Sequence, residues 1–213
     1  MTSLIPASQL QRLTIPGADI SYVEQVDFGR PPAEIFDELR ATTPWKHEEI
    51  RIRGRAIKQP RLTAWYGDPG CSYTYSGLAH SPAPWSPLLA QLKKHVEEIT
   101  RTVFNSALLN AYRNGRDSVG YHADNEPELG PRPTIASLSF GEEREFGLRP
   151  SRGRSGRSHK IRLASGSLLI MAGDTQKNWL HGIEKVSEPC GPRINITFRS
   201  VTAAANRTRR FSR

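Results

Sequence analysis

Tyr121-His122-Ala123-Asp124 places a histidine and a carboxylate two residues apart in a polar, glycine-punctuated segment. In an extended backbone, residues i and i+2 point to the same face, so His122 and Asp124 can reach one ion. His181, in Trp179-Leu180-His181-Gly182, is the best candidate for a third ligand. Two histidines and one carboxylate, with open positions left over, form the facial arrangement used by non-haem Fe(II) oxygenases. A bare His-x-Asp is more often a surface pair, so the reading depends on what lies downstream.

Downstream stands Arg193-Ile194-Asn195-Ile196-Thr197-Phe198-Arg199. With a period of two, Arg193, Asn195, Thr197 and Arg199 share one face, and Ile194, Ile196 and Phe198 share the other, which suits a hydrophobic layer. The two guanidiniums stand about 20 Å apart when fully extended, at roughly 3.3 Å per residue. Arginine is suited to a two-point grip on a carboxylate. Beside a ferrous site that points to a dicarboxylate cosubstrate such as 2-oxoglutarate. Taken alone, the same face reads equally well as a solvated strand surface.

The elements that must position these groups are legible in outline. Residues 1–20 read as an irregular lead-in, with a short first strand over Ala18–Val23. Pro31 and Pro32 open a helix through Leu39 whose apolar face is Ile35, Phe36 and Leu39. Ile50 to Ile57 alternates apolar and basic residues as a half-exposed strand would, with Arg51, Arg53 and Arg55 outward. A strong turn signal ends the segment from Pro60 to Gly70, and Tyr73–Gly77 follows as an extended segment with Tyr73 and Tyr75 on one side. Ordinary core packing is the plain alternative for those two tyrosines. The clearest helix spans about Ser86 to Val103, with Leu88, Leu89, Leu92, Val96 and Ile99 at helical spacing, and is expected to cover the back of a sheet. From Leu108 onward, six strands are expected: 108–113, 135–140, 145–149, 160–163, 167–171 and 194–201. Many short strands after an early helical portion suggest a β-sandwich or jelly roll with helices packed outside it.

Composition bounds the partners. The chain of 213 residues carries 30 Lys and Arg against 21 Asp and Glu, a net charge of +9, which favours polyanions, nucleic acid before acidic membrane. Residues 151–160 form a Gly/Ser-rich loop with four formal positive charges, better placed to touch phosphates than to stabilise a core. Asn206–Arg213 is a basic tail. Two cysteines, Cys71 and Cys190, cannot form a disulfide framework, and no signal pattern or membrane-length apolar run occurs. A cytoplasmic or nuclear protein, without a membrane partner and monomeric by default, is expected. His47, His80, His95 and His159 have no partner pattern and are assigned to surface or packing.

Taken in order, Asn110-Ala111-Tyr112-Arg113-Asn114-Gly115, His122-Ala123-Asp124, His181 and Arg193-x-Asn195-x-Thr197-x-Arg199 resemble the AlkB family of Fe(II)/2-oxoglutarate dioxygenases. The likeness runs from about Pro60 to Val201 and includes Tyr66-Gly67-Asp68, Tyr73-Thr74-Tyr75-Ser76-Gly77, Ile135–Gly141 and Gly166–Met171. Among branches, it most resembles the one containing the vertebrate duplex-DNA repair demethylase. The resemblance implies an α+β chain with a double-stranded β-helix core. It further implies a single dioxygenase domain over 1–213, with a lead-in to about 20, nucleotide-recognition hairpins over about 45–80, the core over about 105–202, and a basic tail over 203–213.

It implies Fe(II) on His122, Asp124 and His181. Asn110 and Tyr112 would bond 2-oxoglutarate, Arg193 would pair with its distal carboxylate, and Thr197 and Arg199 would complete the pocket, Arg199 nearer the metal. With O2 as the other cosubstrate, the implied reaction is oxidative demethylation of bases such as 1-methyladenine and 3-methylcytosine in DNA or RNA, releasing formaldehyde, succinate and CO2. A flipped base would be held by Tyr73, Thr74 and Tyr75. Asn125 stands where the family usually has an acidic residue near the damaged base. Arg53, in the hairpin with Gly54 and Arg55, stands where the duplex-acting branch has an aromatic wedge. Arginine can stack on bases and touch phosphate but plugs a gap poorly. Activity on duplex DNA, aided by the 151–160 loop, is expected, with single strands as the near-equal alternative. The same iron chemistry on a protein or small molecule, and a non-catalytic nucleic-acid-binding module, are the alternatives; the charge, the tyrosine pair and the complete ligand set speak against them.

Overall fold

The computed structural model describes residues 10–52, 55–71, 73–75, 78–80 and 82–202; of 50–52, 55, 73–75 and 78–80 only the backbone is described. Fifteen strands are found among them: β1 Gln11–Leu13, β2 Asp19–Val23, β3 Glu49–Ile52, β4 Arg55–Lys58, β5 Leu62–Gly67, β6 Tyr73–Tyr75, β7 Leu78–His80, β8 Ser106–Tyr112, β9 Val119–His122, β10 Ile135–Gly141, β11 Arg144–Pro150, β12 His159–Leu163, β13 Leu168–Ala172, β14 Trp179–Ile183 and β15 Arg193–Arg199. The α-helices among the described residues are α1 Pro32–Thr42, α2 Pro87–Thr100 and the single turn α3 Thr175–Asn178, and Pro127–Leu129 forms a 3-10 turn. A seven-stranded sheet runs β1-β2-β13-β10-β15-β8-β5 and a four-stranded sheet runs β12-β11-β14-β9, while β3-β4 and β6-β7 are separate hairpins. Every pairing between these strands is antiparallel.

Two apolar layers follow from the period-two patterns. On one face of the large sheet, Leu138, Phe140, Ile194, Ile196 and Phe198 meet Ile35, Phe36 and Leu39 of α1 and Leu88, Leu89, Leu92 and Val96 of α2. Ser86 caps α2 by accepting the Leu89 N–H, and Arg101, in the left-handed region at φ 54°, ends it at Thr100, short of the expected Val103. The opposite face lies against the small sheet through Ile135, Phe146, Leu148, Leu169, Met171 and Ile183. This arrangement of helices, large sheet and small sheet is a jelly-roll core with outer helices, as expected.

Three expectations need correction. Residues 1–20 are not all irregular: β1 pairs along β2, with Leu13 opposite Ile20. Its pattern is mostly exposed, so no alternation betrays it. Strands β9 and β14, which carry the two histidines, have too few apolar residues in period to stand out. Finally, His122 closes its strand, and Asp124 lies in the irregular segment that follows rather than on a continuous extended run.

Candidate active site

The site lies between the sheets, where β8 and β15 of the large sheet face β9 and β14 of the small one. Register makes the juxtaposition. His181 lies directly across from His122. Arg193 lies across from Tyr112 and Asn195 across from Asn110. The polar face of β15 therefore forms the floor of a cavity whose lining includes Asn110, Tyr112, Arg193 and Arg199, with His122, Asp124 and His181 in its wall. The surface-strand alternative for β15 fails, because Arg193, Asn195 and Thr197 are all buried.

His122, Asp124 and His181 each offer one ligand atom, and these atoms lie within 4.8 Å of one another. His122 Nδ1 stands 2.8 Å from the Gly120 carbonyl oxygen. A carbonyl only accepts, so Nδ1 carries the hydrogen and the Nε2 lone pair is left facing Asp124 Oδ1 at 3.7 Å. His181 is stacked by the Phe146 ring at 5.3 Å, and burial pushes its pKa down to about 3, so it is neutral and ready to ligate across the ordinary pH range. Burial works against the Asp124 charge, but the Arg199 guanidinium holds its carboxyl below the usual range. Arg199 grips that carboxylate with Nη2 at 2.9 and 2.8 Å and Nε at 3.2 Å.

Toward the far end the cavity changes character. Arg193 is 2% exposed; its Nη2 donates to Ser139 Oγ at 2.9 Å, while Nε and Nη1 have no hydrogen-bond partner. Burial draws its pKa below the usual value. Asn195 is tied to Ser137 Oγ and the Leu138 carbonyl, and Thr197 donates to Asn195 Oδ1.

Comparison with known proteins places this architecture. The family model of the 2OG-Fe(II) oxygenase superfamily matches residues 30–199. The alpha-ketoglutarate-dependent dioxygenase alkB homolog 3 of Homo sapiens is 45% identical over 175 residues, 78% of this chain and 60% of that protein. The DNA oxidative demethylase ALKBH2 of Homo sapiens is 40% identical over 195 residues, 87% of this chain and 74% of that protein. The chain belongs to the AlkB family of 2OG-Fe(II) oxygenases. Relatives under both names match it, and it spans 60% of the length of the alkB homolog 3 proteins of Bos taurus and Homo sapiens. The solved structure of OsALKBH1 shares the fold at a TM-score of 0.59, covering 90% of this chain and 99% of its own at 18% identity.

The residues fit the groups that the family binds. One imidazole whose Nδ1 is turned to a backbone carbonyl and whose Nε2 faces Asp124, a second held neutral by burial, and a carboxylate kept ionised suit a divalent metal. A buried guanidinium with two unmatched nitrogens suits an incoming carboxylate.

All seven residues expected at the metal and cosubstrate (His122, Asp124, His181, Asn110, Tyr112, Arg193 and Thr197) converge, and Arg199 joins them through Asp124. Of the expected base-contacting residues, Arg53 and Gly54 lie outside the described residues. Arg55 is on β4 and Tyr73, Thr74 and Tyr75 form β6, with side chains outside the description. Asn125 is exposed, next to Asp124. Three of the four unassigned histidines do pack: His47 bonds the Gln59 carbonyl, His95 meets the Phe28 ring edge-on and His159 meets Trp179 edge-on, while the His80 side chain lies outside the description. Cys71 and Cys190 are free thiols.

Sequence reasoning missed three supports. Arg61 Nε donates to Asn110 Oδ1 at 2.7 Å, which aims the amide. Gln176, buried on α3, accepts the Asp124 N–H at 2.9 Å. Phe146 covers His181. None carries a local signal, because each acts on a residue at least 35 positions away.

Proposed function

We propose that this protein removes alkyl groups oxidatively from nucleic-acid bases, as an Fe(II)- and 2-oxoglutarate-dependent dioxygenase. One observation carries the reading: a His-Asp-His cluster and a buried, unmatched Arg193 sit at two ends of one cavity floored by the polar face of β15. His122, Asp124 and His181 hold the metal. Arg199 keeps Asp124 ionised and fixes its orientation. Arg193 receives the distal carboxylate of 2-oxoglutarate, with Asn110 and Tyr112 bonding the same acid and Thr197 completing its pocket. When bound, iron with 2-oxoglutarate and O2 supplies oxidation of an N-methyl carbon, yielding succinate and CO2, and the hydroxymethyl product loses formaldehyde to restore the base. Phe146 and the apolar layer behind it keep water from the cavity wall.

Substrate assignment rests on charge and on the relatives, two of which are named as an alpha-ketoglutarate-dependent dioxygenase and a DNA oxidative demethylase. The net charge of +9 favours phosphates. Leu148 of β11 is opposite His181, and the exposed arginines 152, 154 and 157 follow the end of that strand at Pro150. Tyr73, Thr74 and Tyr75 hold the flipped base, with Arg53, Gly54 and Arg55 at the duplex. Asn125 supplies a dipole beside the base where a carboxylate would favour a cationic lesion, so the preference for 1-methyladenine or 3-methylcytosine is correspondingly weaker. The protein acts as a monomer in the compartment that holds DNA, the cytoplasm or a nucleus. No helix among the described residues is long and apolar enough to cross a membrane.

Formaldehyde release from an oligonucleotide carrying 1-methyladenine or 3-methylcytosine, with Fe(II), ascorbate and 2-oxoglutarate, tests the reading beside His122→Ala. Release that needs both iron and 2-oxoglutarate and disappears in the variant is expected. Succinate without demethylation would move the iron chemistry to a protein or small molecule, and no succinate would leave a binding module. Rates on single and double strands for wild type and Arg53→Ala test the hairpin: an unchanged duplex rate removes Arg53 from the wedge position.

A further inference from the structure

Arg144, at the start of β11, takes no part in the reaction just described and lines a neighbouring pocket, yet it is a second buried guanidinium packed against Tyr112, which belongs to the lining of the reaction cavity. It is 3% exposed. Its Nη2 donates to the carbonyl oxygens of Asp117, at 3.2 Å, and Glu184, while Nε and Nη1 have no hydrogen-bond partner. Its Cζ lies 5.8 Å from the centre of the Tyr112 ring, and Arg193 Cζ lies 5.2 Å from the same centre. One buried phenol ring thus carries two guanidiniums. Burial foremost, and the charge of Arg144 besides, draw the Arg193 pKa down.

Among the described residues no carboxylate forms an ion pair with either arginine. The Asp117 carboxylate, whose own carbonyl Arg144 holds, is taken by the Arg113 backbone N–H, Nε and Nη2. A buried charge without a counter-ion is costly, and two of one sign against one ring cost more. The ring faces offset part of that cost. An aliphatic side chain would fill the space beside Tyr112 without incurring it. Such an arrangement is favourable where an anion comes to the Arg193 end, and a field from Arg144 then acts on that anion at low local dielectric.

We propose that Arg144 determines cosubstrate specificity: packed with Arg193 against one Tyr112 ring, it adds a second positive charge to the Arg193 end of the cavity. The site then takes a 2-oxo acid that bears a distal carboxylate and discriminates against one of the same length that lacks it. Arg144 acts through Tyr112 and through its field, without touching the acid, and is a positioning residue. This rests on the 2-oxoglutarate reading above.

Calorimetric titration of the Mn(II)-loaded protein with 2-oxoglutarate and with 2-oxopentanoate, for wild type and Arg144→Met, tests it without turnover. Wild type is expected to prefer 2-oxoglutarate. Arg144→Met is expected to lose roughly ten-fold in affinity for 2-oxoglutarate and roughly two-fold or less for 2-oxopentanoate, so the ratio narrows. Equal losses for both acids, or none for 2-oxoglutarate, overturn the proposal, since Arg144 would then only tie the Asp117 and Glu184 carbonyls together. Should Arg144→Met fail to fold, Arg144→Lys keeps the charge while losing the guanidinium that joins those carbonyls. A retained ratio is then expected, and a collapsed one overturns the proposal. A wild type that binds neither acid sinks the 2-oxoglutarate reading itself, and this inference with it.

Discussion

Removing Arg199 should turn the metal-site carboxylate from a stabilising group into a liability, in a way that depends on pH. In the metal-free protein Asp124 has a side chain 5% exposed, and Arg199, at 18%, supplies three contacts of 2.8 to 3.2 Å to it. Breaking a buried pair costs about 3–5 kcal/mol; the partial exposure of Arg199 lowers the expectation for Arg199→Met to about 2–4 kcal/mol near neutral pH. The pH dependence follows from the sign of the shift. In the wild type the folded Asp124 pKa is lowered, so its contribution is present above the ordinary carboxylate range and is lost as pH falls through the folded value. Without Arg199, burial, the largest opposing cause, pushes the carboxyl above its unfolded value. The variant's penalty is then greatest at high pH and is relieved as Asp124 takes up a proton. Urea unfolding of metal-free wild type and variant at about pH 7 and about pH 5 reads the difference. A gap that shrinks on acidification, and that Mn(II) partly closes at the higher pH, is expected. A gap of the same size at both pH values would refute the reasoning.

Two further outcomes follow from the packing around the site. Gly141→Ala should cost about 2–4 kcal/mol, because φ is +86° there and a Cβ would overlap the Pro192 carbonyl oxygen and the Phe36 ring; thermal unfolding checks it, and a wild-type midpoint would contradict it. Gln176→Leu should weaken Mn(II) binding by roughly 10–100-fold while the fold persists, since it removes the acceptor that holds the Asp124 N–H; calorimetric metal titration reads it, and an unchanged affinity would remove Gln176 from the metal site's support.

The legible part of this chain is the part governed by local period. The alternation of β15 announced both its apolar face and its polar face, and the helical spacing from Leu88 to Val96 announced α2 and the layer it covers. Those patterns survive because each strand or helix buries one face whatever its partners are. The ligand types were legible too: only a few side chains bind iron or grip a carboxylate, and their order along the chain carried the family resemblance.

What local sequence could not supply is register. His122 and His181 are 59 positions apart by number, and only the antiparallel pairing of β9 with β14 sets them opposite each other. The same holds for Arg193 against Tyr112. Burial of the β15 polar face was undecided in the sequence, because an arginine-bearing strand looks alike whether water or a second sheet covers it. Only the small sheet closing over that face makes Arg193 a desolvated cation awaiting a counter-ion. The supports of the site, Arg61 on Asn110, Gln176 on Asp124 and Arg144 on Tyr112, were invisible for the same reason. A hydrogen bond or a ring contact between distant segments leaves no periodic trace in either one. Residue chemistry was written in the chain, and the electrostatic work asked of it was decided by which strands lie side by side.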